Sequence, residues 1–178
     1  MRSVSLDTAS QAWDRFFAAA QTSAFKCEVL QDYTAVDMGP SLKAWYEGDR
    51  DVSIKLMTQA AAANEWMVAY SARSIAKTRV HLTKTPYTPY LEWEIESYKR
   101  SITGEQIFLT DEAKLDHVAI PAGDFWIFDD RVAIEYIYEG SQGNPVGGYV
   151  YAEGDDIEHL RVVRDAALEF GSLVELLS

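Results

Sequence analysis

From Gly123 to Tyr138 the chain sets two apolar runs around one acidic pair, and this stretch limits the fold more than any other. Phe125 to Phe128 is continuously apolar, the pattern of a strand covered on both faces. Val132 to Tyr138 is dense in β-branched and aromatic residues, interrupted by Glu135. Asp129 and Asp130 mark a turn between them. The stretch therefore predicts a β-hairpin.

Around it the sequence alternates helical and strand patterns. Thr8 with Gln11 forms a capping-box pattern, followed by Ala9, Ala12, Trp13, Phe16, Phe17 and Ala20 on one face, which predicts a helix over about 8–20. Residues 24–33 fit either a short strand or a helical turn. Gly39-Pro40 breaks the chain, and Ser41 begins a short helix through Trp45 and Tyr46. Residues 51–77 lack Gly and Pro and read as helix, with Asn64 placed to cap a second segment.

Arg79-Val80-His81-Leu82-Thr83 alternates as a strand does, with His81 on the same side as Arg79 and Thr83. Thr88 followed by Pro89 is a helix start, Leu91, Ile95, Tyr98 and Ile102 share one face, and Gly104 is placed to end that helix. Residues 105–110 read as a strand with Ile107 and Leu109 on one side and Phe108 on the other. After the hairpin, residues 141–145 read as a turn and 148–152 as a strand. Asp155 or Asp156 caps a last helix lined by Ile157, Leu160, Val163, Ala167 and Phe170, and Leu173, Val174, Leu176 and Leu177 form an apolar tail.

This order predicts an α/β or mixed α+β domain, a central mixed sheet with helices packed on it. With 178 residues, 48% of them apolar, and no Gly/Ser/Pro-rich linker, the chain is expected to form one domain, helical over 1–60 and sheet-containing over 61–178.

Charge and cysteine usage narrow the function classes. Sixteen Lys and Arg against 28 Asp and Glu give a formal charge of −12, which repels nucleic-acid phosphates and anionic lipid. Direct binding to nucleic acid or membrane is not expected. Cys27 stands alone, no signal-peptide core or membrane-spanning apolar run is present, and a cytoplasmic location is expected. No phosphate-binding loop, dinucleotide fingerprint or nucleophile elbow occurs. The three histidines, His81, His117 and His159, lie in unrelated elements, so neither a metal nor a cofactor is expected.

Two clusters remain as candidate ligand or partner sites. Tyr87, Tyr90 and Trp93 beside Glu94 follow two prolines, and aromatic rings with a carboxylate suit a cationic or peptide ligand. Asp129, Asp130 and Arg131 with Trp126 at the hairpin could place a carboxylate at a cleft, although turn chemistry accounts for the acidic pair equally. Glu92 and Glu96, four apart, read as a solvated helix face.

The segments RVHLTKTPYTPYLEWEIE (79–96), GEQI (104–107) and DFWIFDDRVAIEYIYEGSQGNPVGGYVY (124–151), with a closing amphipathic helix, resemble an actinobacterial family of unknown function encoded beside helix-turn-helix regulators of the XRE type. That resemblance implies a cytoplasmic accessory protein. The element order is also similar to phospholipase-D-like domains, but their H-x-K-x-x-x-x-D motif is missing. His81 is followed by Thr83 where Lys is required, and His159 is followed by Ala166 where Asp is required. The resemblance thus implies a catalytically dead domain of a kind that pairs.

The expectation is a non-enzymatic accessory or sensor protein that binds a protein partner such as a helix-turn-helix regulator. The alternative is a small-molecule binder or enzyme using a carboxylate in an aromatic-lined cleft. A homodimer is expected, with Trp126 and the apolar tail as contacts.

Overall fold

A computed structural model describes residues 2–177. In chain order the strands are β1 (Arg2–Ser5), β2 (Ser23–Glu28), β3 (Ala76–Thr83), β4 (Gln106–Asp111), β5 (Phe125–Phe128), β6 (Val132–Glu139), β7 (Asn144–Tyr151) and β8 (Ser172–Leu173). The helices are α1 (Leu6–Ala19), α2 (Thr34–Asp37), α3 (Pro40–Tyr46), α4 (Arg50–Ala63), α5 (Glu65–Ser71), α6 (Pro89–Tyr98) and α7 (Glu158–Phe170), with a single 3₁₀ turn at Glu112–Leu115. The fold is α+β, and the strands form one mixed sheet in the order β1-β7-β6-β5-β2-β3-β4-β8. β2, β3 and β4 run parallel, and the remaining neighbours are antiparallel.

The hairpin forms as its pattern predicts. Phe125 to Phe128 are all buried, Phe128 pairs with Val132, and Asp129 and Asp130 take φ of 51° and 58° between them. That left-handed conformation is one Asp tolerates better than most residues. Thr88 caps α6 by accepting the Leu91 N–H at 3.1 Å with Pro89 first in the helix, and Asn64 caps α5 by accepting the Met67 N–H at 3.1 Å.

Several boundaries differ from expectation. Helix α1 begins at Leu6, because Ser5, not Thr8, caps it by accepting the Thr8 N–H. The helical run ends at Ser71, and Lys77 already lies in β3. α6 stops at Tyr98, where the chain tightens into i→i−3 bonds from Arg100 and Ser101, so Gly104 shapes the turn into β4 at φ 70°. The turn after β6 is made by Gly140 and Gly143, both at positive φ, so β7 already includes Asn144 and Pro145. The first 60 residues also supply β1 and β2, and β2 lies in the middle of the sheet.

Period-two alternation sends each central strand's residues to opposite faces. One face carries Phe25, Cys27, Val80, Leu82, Phe125 and Ile127 against Leu160, Val163 and Ala167 of α7. The other is covered by α1 over β5–β7, where Trp13 and Phe16 pack on Trp126, Phe128 and Ile134. Over β2 and β3 that second face is polar, while β4 adds the apolar Ile107 and Leu109. Lys26 and Glu28 of β2 stand beside Arg79 and His81 of β3 in parallel register. α6 lies above them, and α3 and α4 pack against α6.

Candidate functional site

Helical spacing places Tyr90, Glu94 and Tyr98 on the underside of α6, all buried, directly above the polar strip of the sheet. Glu28 is the hub. One carboxylate oxygen accepts from the Arg79 guanidinium at 2.8 Å and pairs with the Lys26 ammonium, and the other accepts the Tyr98 hydroxyl at 2.6 Å. Arg79 reaches across to Glu105 at 3.3 Å, and Glu105 also accepts the hydroxyls of Thr103 at 2.8 Å and Tyr70 at 3.0 Å. Lys77 donates to the backbone carbonyl oxygens of Tyr70 and Ser71.

His81 is wholly buried at the centre of this network. Its Nε2 lies 2.7 Å from the Leu30 carbonyl oxygen, which can only accept, so Nε2 carries a hydrogen. Its Nδ1 then faces the Tyr98 hydroxyl at 2.8 Å and a Glu94 carboxylate oxygen at 3.3 Å. Glu94 further lies 3.5 Å from the Tyr90 hydroxyl.

Asp124, just ahead of β5, closes the strip. It accepts the Tyr33 hydroxyl at 2.6 Å, the Val29 N–H at 2.9 Å and the Tyr138 hydroxyl at 2.9 Å. Burial pushes its carboxyl above the usual carboxylate range. Glu28 goes the other way: burial would raise it too, but Arg79, Lys26 and His81 outweigh that and hold it well below that range.

One wall of the network opens on a cavity of about 670 Å³. Arg79, Glu94, Tyr98, Glu105 and Arg100, the last paired with Glu96, line its polar side, and residues such as Leu42, Met57 and Ile107 line its apolar side. Trp93 stands at this cavity, its indole N–H donated to the Ser41 hydroxyl at 2.9 Å.

Glu28, His81 and Glu94 each offer a donor atom, all within 4.8 Å of one another, a spread that a metal ion could bridge. The Tyr98 hydroxyl, however, already bridges Glu28 and Nδ1, and Lys26 and Arg79 neutralise Glu28. The set therefore fits a proton better than a metal ion. His117 and His159 lie elsewhere, His117 exposed beside Asp116 and His159 at 3.3 Å from the Tyr151 hydroxyl.

The residues singled out from the sequence separate into several places. Glu94 and Trp93 reach the large cavity, and Tyr90 packs fully buried between Tyr33 and Leu42. Tyr87 is 39% exposed, on a shallow groove with Trp45 and Arg50 on the far side of α6. Trp126 is buried against Trp13 and Phe128, so it cannot serve as the exposed dimer contact expected of it.

Asp129 does structural work. Its carboxylate accepts the N–H groups of Gln21, Thr22 and Ser23 and the Thr22 hydroxyl, all within 3.0 Å, tying α1 and β2 to the hairpin. Asp130 accepts from Arg161 and Arg164 of α7, and the exposed Arg131 pairs with Glu153. Lys26, Glu28, Arg79 and Glu105 were missed as site residues because strand pairing, not local spacing, gathers them. The one legible sign was the grouping of His81 with Arg79 on one side of a strand.

The conserved-family comparison agrees with the extent of this fold. Residues 11–174 match the family described as domain of unknown function (DUF6879). The chain belongs to that family. No curated protein matches it. The DUF6879 match takes in α1 from Gln11 onward, α2 to α7, β2 to β8 and every residue of the buried network.

Proposed function

We propose that this DUF6879 protein is a small-molecule-binding sensor domain whose ligand sits in the cavity beneath α6. The observation that carries this reading is a cavity of about 670 Å³ with an apolar wall facing the partly buried Arg79 and the buried Glu94 and Glu105. That combination of apolar volume and a few fixed polar groups is the usual make-up of a ligand site. Most of the charged groups are engaged with one another, Glu28 with Arg79 and Arg79 with Glu105, which suits recognition better than acid–base turnover.

The neutral solvatochromic dye Nile red tests the cavity. Ala60 lines it yet is exposed, so Ala60→Trp fills its entrance while sparing the network. Dye fluorescence should rise with the wild-type protein and stay near the free-dye level with A60W. Equal enhancement by both proteins overturns the reading.

A second reading joins the sensor to a protein partner. Leu173, Leu176 and Leu177 are each about half exposed beside the β8 edge, and the charge of −12 suits a basic helix-turn-helix regulator. On this reading the protein is a cytoplasmic, actinobacterial accessory factor with phospholipase-D-like kinship, pairing through its tail. A pull-down from the host that recovers no DNA-binding regulator overturns it.

A further inference from the structure

The buried network holds one carboxylate more than its permanent cations can balance. Among the described residues of the strip, Glu28, Glu94, Glu105 and Asp124 face Lys26, Lys77 and Arg79, leaving His81 as the remaining ionisable base among them. Hydrogen-bond accounting around His81 points the same way. Nε2 donates to the Leu30 carbonyl, and the single Tyr98 hydroxyl hydrogen goes to Glu28, the nearer acceptor at 2.6 Å. Nδ1 at 2.8 Å from the Tyr98 oxygen and 3.3 Å from Glu94 is then satisfied only if one further proton lies on Nδ1 or on the facing Glu94 oxygen. Burial draws the His81 imidazole below its usual range even though Glu28 and Asp124 favour its charged form, so near neutral pH the shared proton sits on the Glu94 side of the pair.

Glu94 belongs both to this proton-sharing group and to the cavity wall. We propose that the cavity takes a monovalent organic cation, an amine on an apolar or aromatic body, whose ammonium pairs with Glu94 and replaces the proton shared with His81. This rests on the cavity reading above and gives it a ligand class. The amine enters charged, donates to the Glu94 carboxylate, and the displaced proton passes to solvent. His81 remains as a neutral imidazole, and the Tyr98 hydroxyl turns its hydrogen from Glu28 to Nδ1, Glu28 keeping Lys26 and Arg79 as donors. Net charge in the strip is the same before and after, which is what lets a buried site accept a cation without an unpaired charge. The apolar body lies against Leu42, Met57 and Trp93.

Three probes of one shape and different charge test the assignment: tryptamine, the neutral tryptophol and the anionic indole-3-acetate. Calorimetry near neutral pH, repeated in phosphate and in Tris, reads proton release from the difference in buffer heats. Tryptamine should bind with about one proton released per ligand, and tryptophol and indole-3-acetate should bind about tenfold more weakly or not at all. Glu94→Gln keeps the shape and should weaken tryptamine about tenfold or more while abolishing the proton release. Equal binding of all three overturns the cation assignment and leaves the cavity reading standing. Tryptamine binding without a buffer-dependent heat overturns the exchange, a result that needs only the wild-type protein. Binding of none of the three overturns the proposal, and the Nile red comparison then tells separately whether the cavity takes any ligand.

Discussion

On the α7 side the sheet presents Phe25, Cys27, Val80 and Leu82 to Leu160 and Val163, an apolar layer in which Thr110, bonded to the Ala167 carbonyl at 2.7 Å, is a rare polar contact. The alternate residues of the same two strands, Lys26, Glu28, Arg79 and His81, face α6 and form a connected ionic layer. One residue of travel along a strand thus separates opposite kinds of burial. Apolar burial stabilises roughly in proportion to area, whereas buried ion pairs at best recover their desolvation cost. The α7 face can therefore supply the stability that lets the α6 face hold charge beside a cavity. That division is open to direct measurement.

The largest effect is expected at Arg79. Arg79→Met leaves Glu28 and Glu105 without their shared guanidinium and should cost about 4 kcal/mol in urea unfolding, the range for breaking one side of a buried pair. Adding Glu28→Gln should return part of that loss. If the double variant is no more stable than the single one, charge imbalance is not the cause. On the opposite face Leu160→Ala should cost about 3 kcal/mol as a cavity in a fully buried layer, with Nile red binding unchanged. Loss of dye binding in that variant would mean that the two faces do not act independently.

Asp129 carries the smallest of these effects and a distinct pH signature. Burial would raise its carboxyl, but the N–H groups of Ser23, Gln21 and Thr22 outweigh that and hold it well below the usual carboxylate range. A depressed folded-state value contributes stability that is complete above the unfolded value near 4 and fades as pH falls through the folded one. Asp129→Asn keeps the left-handed backbone tolerable and should lose about 2 kcal/mol at neutral pH. The gap from wild type should close progressively on acidification below about pH 4. A gap of constant size down to low pH would show that the carboxylate charge is not what ties α1 and β2 to the hairpin.

The legible parts of this fold share one property: the signal lies within a few residues. Phe125–Phe128 and Val132–Tyr138 around Asp129-Asp130, Thr88-Pro89 at the start of α6 and Asn64 between α4 and α5 all act through neighbours in sequence. β2 was ambiguous because its α6-facing positions are Lys26 and Glu28, so the apolar alternation that marks a half-buried strand is replaced by charge against a buried ionic layer. β1 and β8 are edge strands of four and two residues, held by pairing partners far along the chain. At the site, Glu94 and Trp93 stood out beside aromatic residues. The companions Glu28, Arg79 and Glu105 gained meaning only once β2, β3 and β4 were placed side by side.

The central place of β2 also has a consequence for the order of assembly. Its partners are β3, some fifty residues onward, and β5, where Ala24 pairs with Phe128, and Asp129 then clamps residues 21 to 23 from about a hundred residues away. A nascent chain can form α1 and the α3–α4 pair from local contacts, yet the middle of its sheet stays unpaired on one side until the hairpin has left the ribosome. Long-range closure of this kind is slow relative to helix formation. During that interval the strand that must wait is SAFKCE, and its two charged residues keep an unpaired strand soluble before they serve the finished network.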